Sequence, residues 1–312
     1  MRRGSSGAGL LNEKNIMETR EKIIEKVLLI SAAVSVAAVA LITIFIFSSG
    51  LPVLTEYGVF NFIFGTDWSP TGGTYGILPL IAGTLGVTLG ALVIGIPAGV
   101  GCAVFMAEMV GSRAAKVFKS AIELLAGIPS VVYGFFGLAI IVPAIREFIL
   151  PVVQKINPDV NSSGFSILAG AVILAIMILP TIVSLSENAI RAVPKEFREA
   201  SLALGADKRE TITKVIVPAA KSGIFSSIIL AMGRAIGETM AVLMITGNVA
   251  KVPGGLLDPA ATLTGTIAME MSYATPEHQS ALFAIGIILF VIIVILNITA
   301  QLMMKKLGGM TA

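Results

Sequence analysis

The chain has 312 residues, of which 55% are hydrophobic and only 13% are charged, and its mean hydropathy is +0.92. Soluble domains carry about a quarter charged residues, so the charge here is too sparse to cover a water-facing surface. These values exclude a soluble globular protein, and no nucleic-acid partner is expected. The net charge of +3 says little by itself, because the placement of the charges carries the information. We therefore predict an all-α integral membrane protein surrounded by lipid.

Six apolar segments are long enough to cross about 30 Å of hydrocarbon as helices. They lie at 27–47, 78–107, 122–145, 166–190, 222–246 and 280–304. The first follows a polar, basic segment, 1–26, and is longer than the roughly 7–15 residues of a signal-peptide core, so it is predicted to remain as a membrane span. The sequence thus predicts a polar N-terminal segment 1–26, a transmembrane domain 27–306 and a tail 307–312.

The positions of Lys and Arg predict the orientation of these spans. If the N-terminus is cytoplasmic, 18 of the 22 basic residues flank the inner ends of the spans. Only Arg146, Lys155 and Lys251 fall in the outer segments, and Arg234 alone falls near the middle of a span. Because cytoplasmic segments carry the excess of positive charge, both termini are predicted to be cytoplasmic.

The segments outside the membrane carry no recognisable catalytic or metal-binding pattern. Trp68 and Tyr75, in a loop rich in glycine and proline, are predicted to be interface anchors. The single histidine, His278, lies in a predicted loop and is interpreted as a surface residue rather than a metal ligand. The single cysteine, Cys102, has no partner for a disulfide. No metal site is expected.

The inner segment between the fourth and fifth spans, about 191–221, has the pattern of two short helices joined by a tight turn. Pro194 suits a helix start, and Gly205 is placed to end that helix in a left-handed conformation. Asp207 can cap the second helix together with Glu210, three residues later, as in a capping box. A compact pair of helices on this side would present a rigid surface to a soluble partner.

This segment resembles the EAA loop of the permease subunits of ATP-binding cassette (ABC) importers. Glu199, Ala200, Gly205 and Pro218 match the family pattern at its spacing, whereas Ser201, Val215 and Val217 depart from it conservatively. The resemblance implies a type I (MetI-like) permease fold. It also implies that Glu199, Ala200 and Gly205 couple the chain to an ATPase subunit.

The chain has no Gly-x-x-x-x-Gly-Lys-Ser/Thr phosphate loop, so ATP hydrolysis is assigned to a separate polypeptide. This subunit is expected to be non-catalytic and to bind no cofactor. ATP and magnesium would be used by its ATPase partner.

Arg234 and Glu238 lie four residues apart in the fifth predicted span and would share one face of a continuous helix. One interpretation is an intrahelical salt bridge that only orients the helix. The other is a substrate pathway, because charged residues at membrane depth usually face a partner or an aqueous path. A guanidinium matches the oxygens of an oxyanion, and we favour the pathway. Thr84 and Ser130 are weaker candidate donors, for which helix packing is the better interpretation.

The sequence of the fifth predicted span resembles one particular group of ABC importer permeases. Its sequence Arg-Ala-Ile-Gly-Glu-Thr-Met-Ala-Val, from Arg234 to Val242, and the following Gly247-Asn248 resemble the phosphate-specific (Pst-type) permeases. The outer loop with Asp67-Trp68-Ser69-Pro70 and the segment Leu125–Gly134 resemble the C-type subunit of that pair. This resemblance implies a heterodimer with a sister permease, two copies of a cytoplasmic ABC ATPase, and an extracytoplasmic phosphate-binding protein.

Two alternative functions remain open from the sequence. An arginine does not distinguish phosphate from sulfate or molybdate, so a permease for another oxyanion stays possible in chemical terms. An ATP-independent transporter or channel is the other alternative. A channel would have no use for the coupling segment, and no internal repeat of the secondary-transporter kind is found.

Overall fold

The computed structural model describes residues 6–158 and 160–308 of the chain. The predicted polar segment 1–26 and tail 307–312 therefore lie partly outside the described residues. By its internal contacts the chain divides into two units, Met1–Ser49 and Gly50–Ala312. In the first unit one helix begins at Ser6, and its apolar side chains from Ile23 to Phe45 are largely exposed, as expected for residues that face lipid.

The helices follow the hydropathy pattern in chain order. The first half contains α1 Ser6–Tyr57, α2 Val59–Phe64, α3 Leu78–Val104, α4 Ser112–Gly127, α5 Ser130–Phe136, α6 Val142–Ala144 and α7 Leu150–Gln154. The second half contains α8 Ile167–Arg191, α9 Lys195–Ala203, α10 Lys208–Glu210, α11 Val217–Ala219, α12 Lys221–Ile236, α13 Met240–Ile245, α14 Leu263–Glu270 and α15 Pro276–Gly308. Two-residue strands, β1 Trp68–Ser69 and β2 Thr74–Tyr75, form a small antiparallel hairpin before α3.

Short π-helical segments extend or join several of these helices. They are Phe105–Met109, Gly137–Ile141, Ile145–Ile149 and Thr211–Ile216. Through them α3 continues to Met109, and α5 to α7 form one membrane-length helix, Ser130–Gln154.

Among residues 6–158 and 160–308, five helices are long and apolar enough to cross a membrane, and a bent pair, Lys208–Ala219 with Lys221–Ile236, makes a sixth span if the pair is counted as one. The predicted helical membrane architecture is confirmed in this form.

The predicted boundaries of two spans, the third and the fifth, are wrong. The third span is Ser130–Gln154 rather than 122–145, since the chain breaks at Ile128 and Pro129, and α4 is a separate amphipathic helix. Arg146 therefore lies within the helix of the third span, eight residues before its end, rather than in a loop.

The fifth predicted span, 222–246, is not one helix either. Helix α12 ends at Ile236, residues 237–239 are non-helical, and α13 begins at Met240. The predicted span is thus interrupted once, after Ile236. A second bend, of 65°, lies just before the predicted span, between Lys208–Ala219 and Lys221–Ile236.

Helix α8 forms the centre of the second unit and packs closely on α3. Small residues on α3 allow this approach: a Cβ at Gly99 would lie 2.7 Å from Ile182, and one at Gly95 would lie 2.9 Å from Ile178. Small residues commonly line contacts between membrane helices for this reason. A hydrogen bond of 2.8 Å between the buried hydroxyls of Ser186 and Ser227 joins α8 to α12.

Candidate functional site

The segment between α8 and α12 forms the two short helices that the sequence predicts. Helix α9 is followed by Gly205, whose φ of +87° lies in the left-handed region. Asp207 caps α10: its carboxylate accepts a hydrogen bond of 2.7 Å from the Glu210 amide, and the Glu210 carboxylate accepts from the Asp207 amide. We name Lys195–Glu210 the α9–α10 knob. The predicted helix, turn and capping box are all confirmed here.

The outer surface of the α9–α10 knob carries apolar side chains without a covering in the chain. Phe197 is 50% exposed, Leu202 is 52% exposed and Leu204 is 89% exposed. Glu199, Ala200 and Gly205 are also exposed. Exposed apolar residues on so short a helix pair are typical of a surface that binds another protein.

The inner surface of the α9–α10 knob is attached to the helical core by polar contacts. Arg198 forms an ion pair with Glu108, at the end of the α3 helix, and donates a further hydrogen bond of 3.2 Å to the Val193 carbonyl. The Ser201 and Thr211 hydroxyls are 2.9 Å apart and buried, which joins α9 to the π-helical segment after α10. The knob is therefore a rigid extension of the core.

An exposed ion pair also supports this segment. Glu210 and Lys214 are 2.9 Å apart, one helical turn from each other. The Lys214 hydrogen bond lowers the pKa of Glu210, and the Glu210 hydrogen bond raises the pKa of Lys214. Both side chains keep their charge at neutral pH.

The break after α12 separates the two charged residues of the fifth span. Arg234 lies in the last turn of α12 and is exposed, while Glu238 is half-buried within the break. Among the described residues no ion pair joins them. The expectation that the two share one face of a continuous helix is therefore wrong, because the helix ends at Ile236 between them.

Glu238 is held in the break by three hydrogen bonds, one of which is donated by its backbone amide to the Ala235 carbonyl at 3.3 Å. Its carboxylate accepts a hydrogen bond of 3.4 Å from the Ala241 amide at the start of α13. Its backbone carbonyl accepts one of 2.8 Å from the Thr264 hydroxyl of α14. Non-helical backbone at membrane depth needs such partners, because lipid supplies none.

Arg234 faces a cleft of about 690 Å³ between α8, α12 and α15. We name it the α8–α12–α15 cleft. Its lining includes Thr181, Leu185, Ser226, Gly233, Arg234, Asn297 and Gln301. Within the described chain Arg234 makes no hydrogen bond or ion pair. An unpaired guanidinium beside an open cleft is free to bind an anion.

The two weaker candidates from the sequence lie apart from this cleft lining. The Thr84 hydroxyl is buried, donates 2.8 Å to the Leu80 carbonyl and accepts 2.9 Å from the Leu263 amide at the start of α14. Ser130 is the first residue of α5. For Thr84 the packing interpretation is supported by both hydrogen bonds.

Comparison with known proteins places the chain in a family. Residues 95–308 match the family described as binding-protein-dependent transport system inner membrane component. The chain belongs to this family. It is therefore a multi-pass membrane component of a transport system, and the EAA pattern in the α9–α10 knob agrees with that membership.

Individual relatives of this transport component cover most of its length. It is 40% identical over 266 residues to the probable ABC transporter permease protein YqgH of Bacillus subtilis, covering 83% of each chain. It is 34% identical over 280 residues to the phosphate transport system permease protein PstC of Mesorhizobium japonicum, covering 86% of this chain and 85% of that one. The expected resemblance to Pst-type permeases is confirmed.

The fold is shared with a solved transporter. The chain superimposes on an inward-facing conformation of the MetNI methionine ABC transporter with a TM-score of 0.57 at 16% identity. The superposition covers 77% of this chain and 99% of that one. It confirms the predicted MetI-like permease fold.

Sequence reasoning missed a buried carboxylate on α8. Glu187 is 3% exposed and accepts a hydrogen bond of 2.7 Å from Arg191, which also donates 2.9 Å to the Met106 carbonyl. Its second carboxylate oxygen has no partner among the described residues. The signal was present in the sequence, since an acid inside an apolar segment with an arginine four residues later predicts such a pair.

The prediction for His278 is wrong. Its side chain is 6% exposed, at the start of α15, and its Nε2 lies 2.8 Å from a Glu270 carboxylate oxygen. The Trp68 indole donates a hydrogen bond of 3.1 Å to the same carboxylate, and its ring contacts that of His278 edge to face. Trp68 thus anchors the β1–β2 hairpin to α14 and α15 within the protein, in place of the expected interface contact.

Proposed function

We propose that this permease is the membrane subunit of an ATP-driven importer that translocates inorganic phosphate across the cell membrane. The observation that carries the proposal is the unpaired Arg234 guanidinium beside the α8–α12–α15 cleft. The planar guanidinium has a fork of N–H donors that matches the oxygens of a tetrahedral oxyanion. No acidic residue among those described lines the cleft to neutralise the charge of Arg234. The choice of phosphate is supported by relatives named as phosphate transport system permeases.

The α9–α10 knob is the proposed attachment point for the ATPase. Glu199, Ala200 and Gly205 lie on its exposed side, and the ion pair between Arg198 and Glu108 transmits force from it to the α3 helix. ATP and magnesium are bound and used by the partner, so this chain acts without a cofactor and without catalysing a reaction.

The complete importer contains further subunits. We propose a heterodimer with a sister permease, two copies of the cytoplasmic ATPase, and an extracytoplasmic binding protein that delivers phosphate. The distribution of Lys and Arg supports cytoplasmic termini, with the α9–α10 knob on the cytoplasmic side. The exposed apolar surface of α1 is covered by lipid or by these subunits.

Transport follows from alternating access. Phosphate released from the binding protein meets Arg234, whose charge offsets the cost of moving an anion to membrane depth. Glu238, in the break after Ile236, is the second proposed pathway residue, and its negative charge favours release of the anion when the pathway opens inward. ATP binding and hydrolysis set the direction by moving the knob.

The decisive experiment reconstitutes the whole complex in lipid vesicles and measures ATPase stimulation by the binding protein loaded with phosphate, sulfate or molybdate. Stimulation by the phosphate-loaded protein is expected. Stimulation by the sulfate- or molybdate-loaded protein alone would assign the permease to that oxyanion and overturn the choice of phosphate. Uptake that continues without ATP would overturn the importer itself in favour of a channel or secondary transporter.

A further inference from the structure

The α8–α12–α15 cleft contains more polar groups than the one arginine. Thr181 extends from α8, and Asn297 and Gln301 extend from α15. Together with Arg234 these side chains come from three different helices and line one cavity. In the part of the chain that the structure describes, none of the four donates or accepts a side-chain hydrogen bond.

The unpaired amides of Asn297 and Gln301 need an explanation. Both residues lie in the last six residues of the apolar span Pro276–Leu302. An amide transferred from water to an apolar medium without a hydrogen bond loses several kcal/mol in the least favourable case, so such groups occur where water, a ligand or a polar partner meets them. The two residues are four apart and share one helix face. Thr299, between them in the sequence, does not line the cleft, and its hydroxyl bonds to its own helix at the Ile295 carbonyl.

The cavity is large enough for a hydrated anion. Its volume of about 690 Å³ corresponds to roughly twenty water molecules at about 30 Å³ each. The cleft extends along α12 from Arg234 to Ser226, eight residues or about 12 Å of helix rise. Ser226 lies toward the end of α12 that follows the α9–α10 knob.

The cleft combines two kinds of donor. A charged donor binds an oxyanion strongly, whereas a neutral amide donates a weaker hydrogen bond. Conduction requires binding that is strong enough for entry and weak enough for exit. A single arginine that shares a cleft with neutral amides satisfies both conditions, because the anion can leave the charged site without entering hydrocarbon.

We propose that Asn297 and Gln301 are pathway residues, neutral hydrogen-bond donors that accept the oxyanion from Arg234 on its way to the side of the α9–α10 knob. This inference rests on the proposed function, since it assigns further residues to the same pathway. It makes α15 a wall of the pathway in addition to its role as the last membrane span.

The first test measures exposure to water and anions without relying on transport. In the complete transporter with Cys102→Ser, single variants Asn297→Cys, Gln301→Cys and Thr299→Cys are treated with a thiol reagent that carries a sulfonate. Cysteines at 297 and 301 should be modified several-fold faster than the cysteine at 299. Equal or slower modification at 297 and 301 would overturn the proposal, as expected if the amides only contact the sister permease.

The second test measures transport. Asn297→Leu and Gln301→Leu should each reduce phosphate uptake about tenfold, as for the loss of one hydrogen bond to a charged group, while the ATPase still co-purifies. The amide-retaining variants Asn297→Gln and Gln301→Asn should recover part of the uptake. Thr299→Val is the matched control on the same helix and should transport normally. Full phosphate uptake in both leucine variants would overturn the proposal.

These experiments distinguish a failure of the proposed phosphate transport from a failure of the proposed role of α15. If the substrate is sulfate, the leucine variants reduce sulfate uptake and the labelling pattern is unchanged, so only the choice of phosphate is lost. If phosphate uptake is normal in the parent and in both leucine variants, the function stands and the role of α15 is lost.

Discussion

Arg198 of α9 and Glu108 at the end of the α3 helix form an ion pair that joins the α9–α10 knob to the helical core. The pair is largely buried, with 25% of the arginine and 10% of the glutamate side chain exposed. Two further hydrogen bonds from Arg198 to backbone carbonyls fix the guanidinium in place. Movement of the knob by a partner would therefore displace the α3 helix as well.

Replacing Glu108 by glutamine should weaken this connection. Loss of a hydrogen-bonded charge at a partly buried site costs about 2 kcal/mol, so the thermal unfolding temperature of the complex should fall. Transport per ATP hydrolysed should fall too. The matched control is Glu147→Gln, which removes an exposed pair with Arg146 and should change stability by less than about 1 kcal/mol. Equal shifts in both variants would contradict the coupling role.

Gly205→Val should disrupt the knob through backbone strain. A Cβ at Gly205 would meet no atom within 4 Å, so the cost comes from the φ of +87° alone. That conformation costs a β-branched residue about 1–3 kcal/mol. We expect weaker association of the ATPase, measured by co-purification. Gly111→Val is the control, since a Cβ at Gly111 would also meet no atom within 4 Å but the backbone there is extended. If this variant loses as much bound ATPase as Gly205→Val does, backbone strain at Gly205 is not the cause.

Arg234→Gln should abolish uptake and leave assembly intact. The guanidinium makes no hydrogen bond or ion pair in the described chain, so its removal should change stability by no more than about 0.5 kcal/mol. Arg234→Lys should retain part of the activity, because it keeps the charge and loses the planar fork. The measurements are phosphate uptake and the yield of intact complex. Normal uptake in the glutamine variant would reduce Arg234 to a structural role.

Thr264→Val should loosen the break between α12 and α13. The variant removes the hydroxyl that binds the Glu238 carbonyl, at a cost of about 1 kcal/mol. Uptake should slow and the unfolding temperature should fall, while Thr264→Ser should restore both. Thr213→Val, whose hydroxyl bonds only to its own helix, serves as the control. If valine and serine at 264 behave alike, the hydrogen bond has no role.

Alkaline pH should destabilise the β1–β2 hairpin through Tyr75. Burial, and then the nearby Glu277 and Glu56 carboxylates, raise the pKa of its phenol above the ordinary 10.0. The folded protein then holds a proton that the unfolded chain releases as pH rises above 10.0, so stability is constant below that pH and falls above it. Tyr75→Phe should flatten this decline in unfolding measurements. An unchanged pH profile would show that other groups cause it.

Much of this architecture could be predicted from hydropathy and local patterns. The spans at α3, α8 and α15 and the knob around Gly205 depend on composition and on turn residues within a few positions. The break after Ile236 could not be predicted in this way. It is stabilised by the hydrogen bond between Glu238 and Thr264, 26 residues apart, and no local pattern indicates such a tertiary contact.

Only part of the candidate site could be predicted from the sequence, because the rest of it also depends on tertiary contacts. Arg234 stood out as the one basic residue in a span, whereas Asn297 and Gln301 became visible only when α12 and α15 placed them in one cleft. The burial of His278 likewise depends on Trp68 and Glu270, which approach it through tertiary contacts. By contrast, the wrong boundary of the third span had a local signal, since Pro129 disfavours helix at the residue before it.

The hydrogen bond between Thr264 and the Glu238 carbonyl also has a consequence for the biogenesis of the protein. Glu238 leaves the ribosome before Thr264, so the break enters the membrane before its partner has been made. Until α14 arrives, the exposed carbonyl must remain near water or be held by another helix. The second half of the chain is therefore expected to mature late, after synthesis has passed Glu270, and truncations that end before α14 should be retained by membrane quality control.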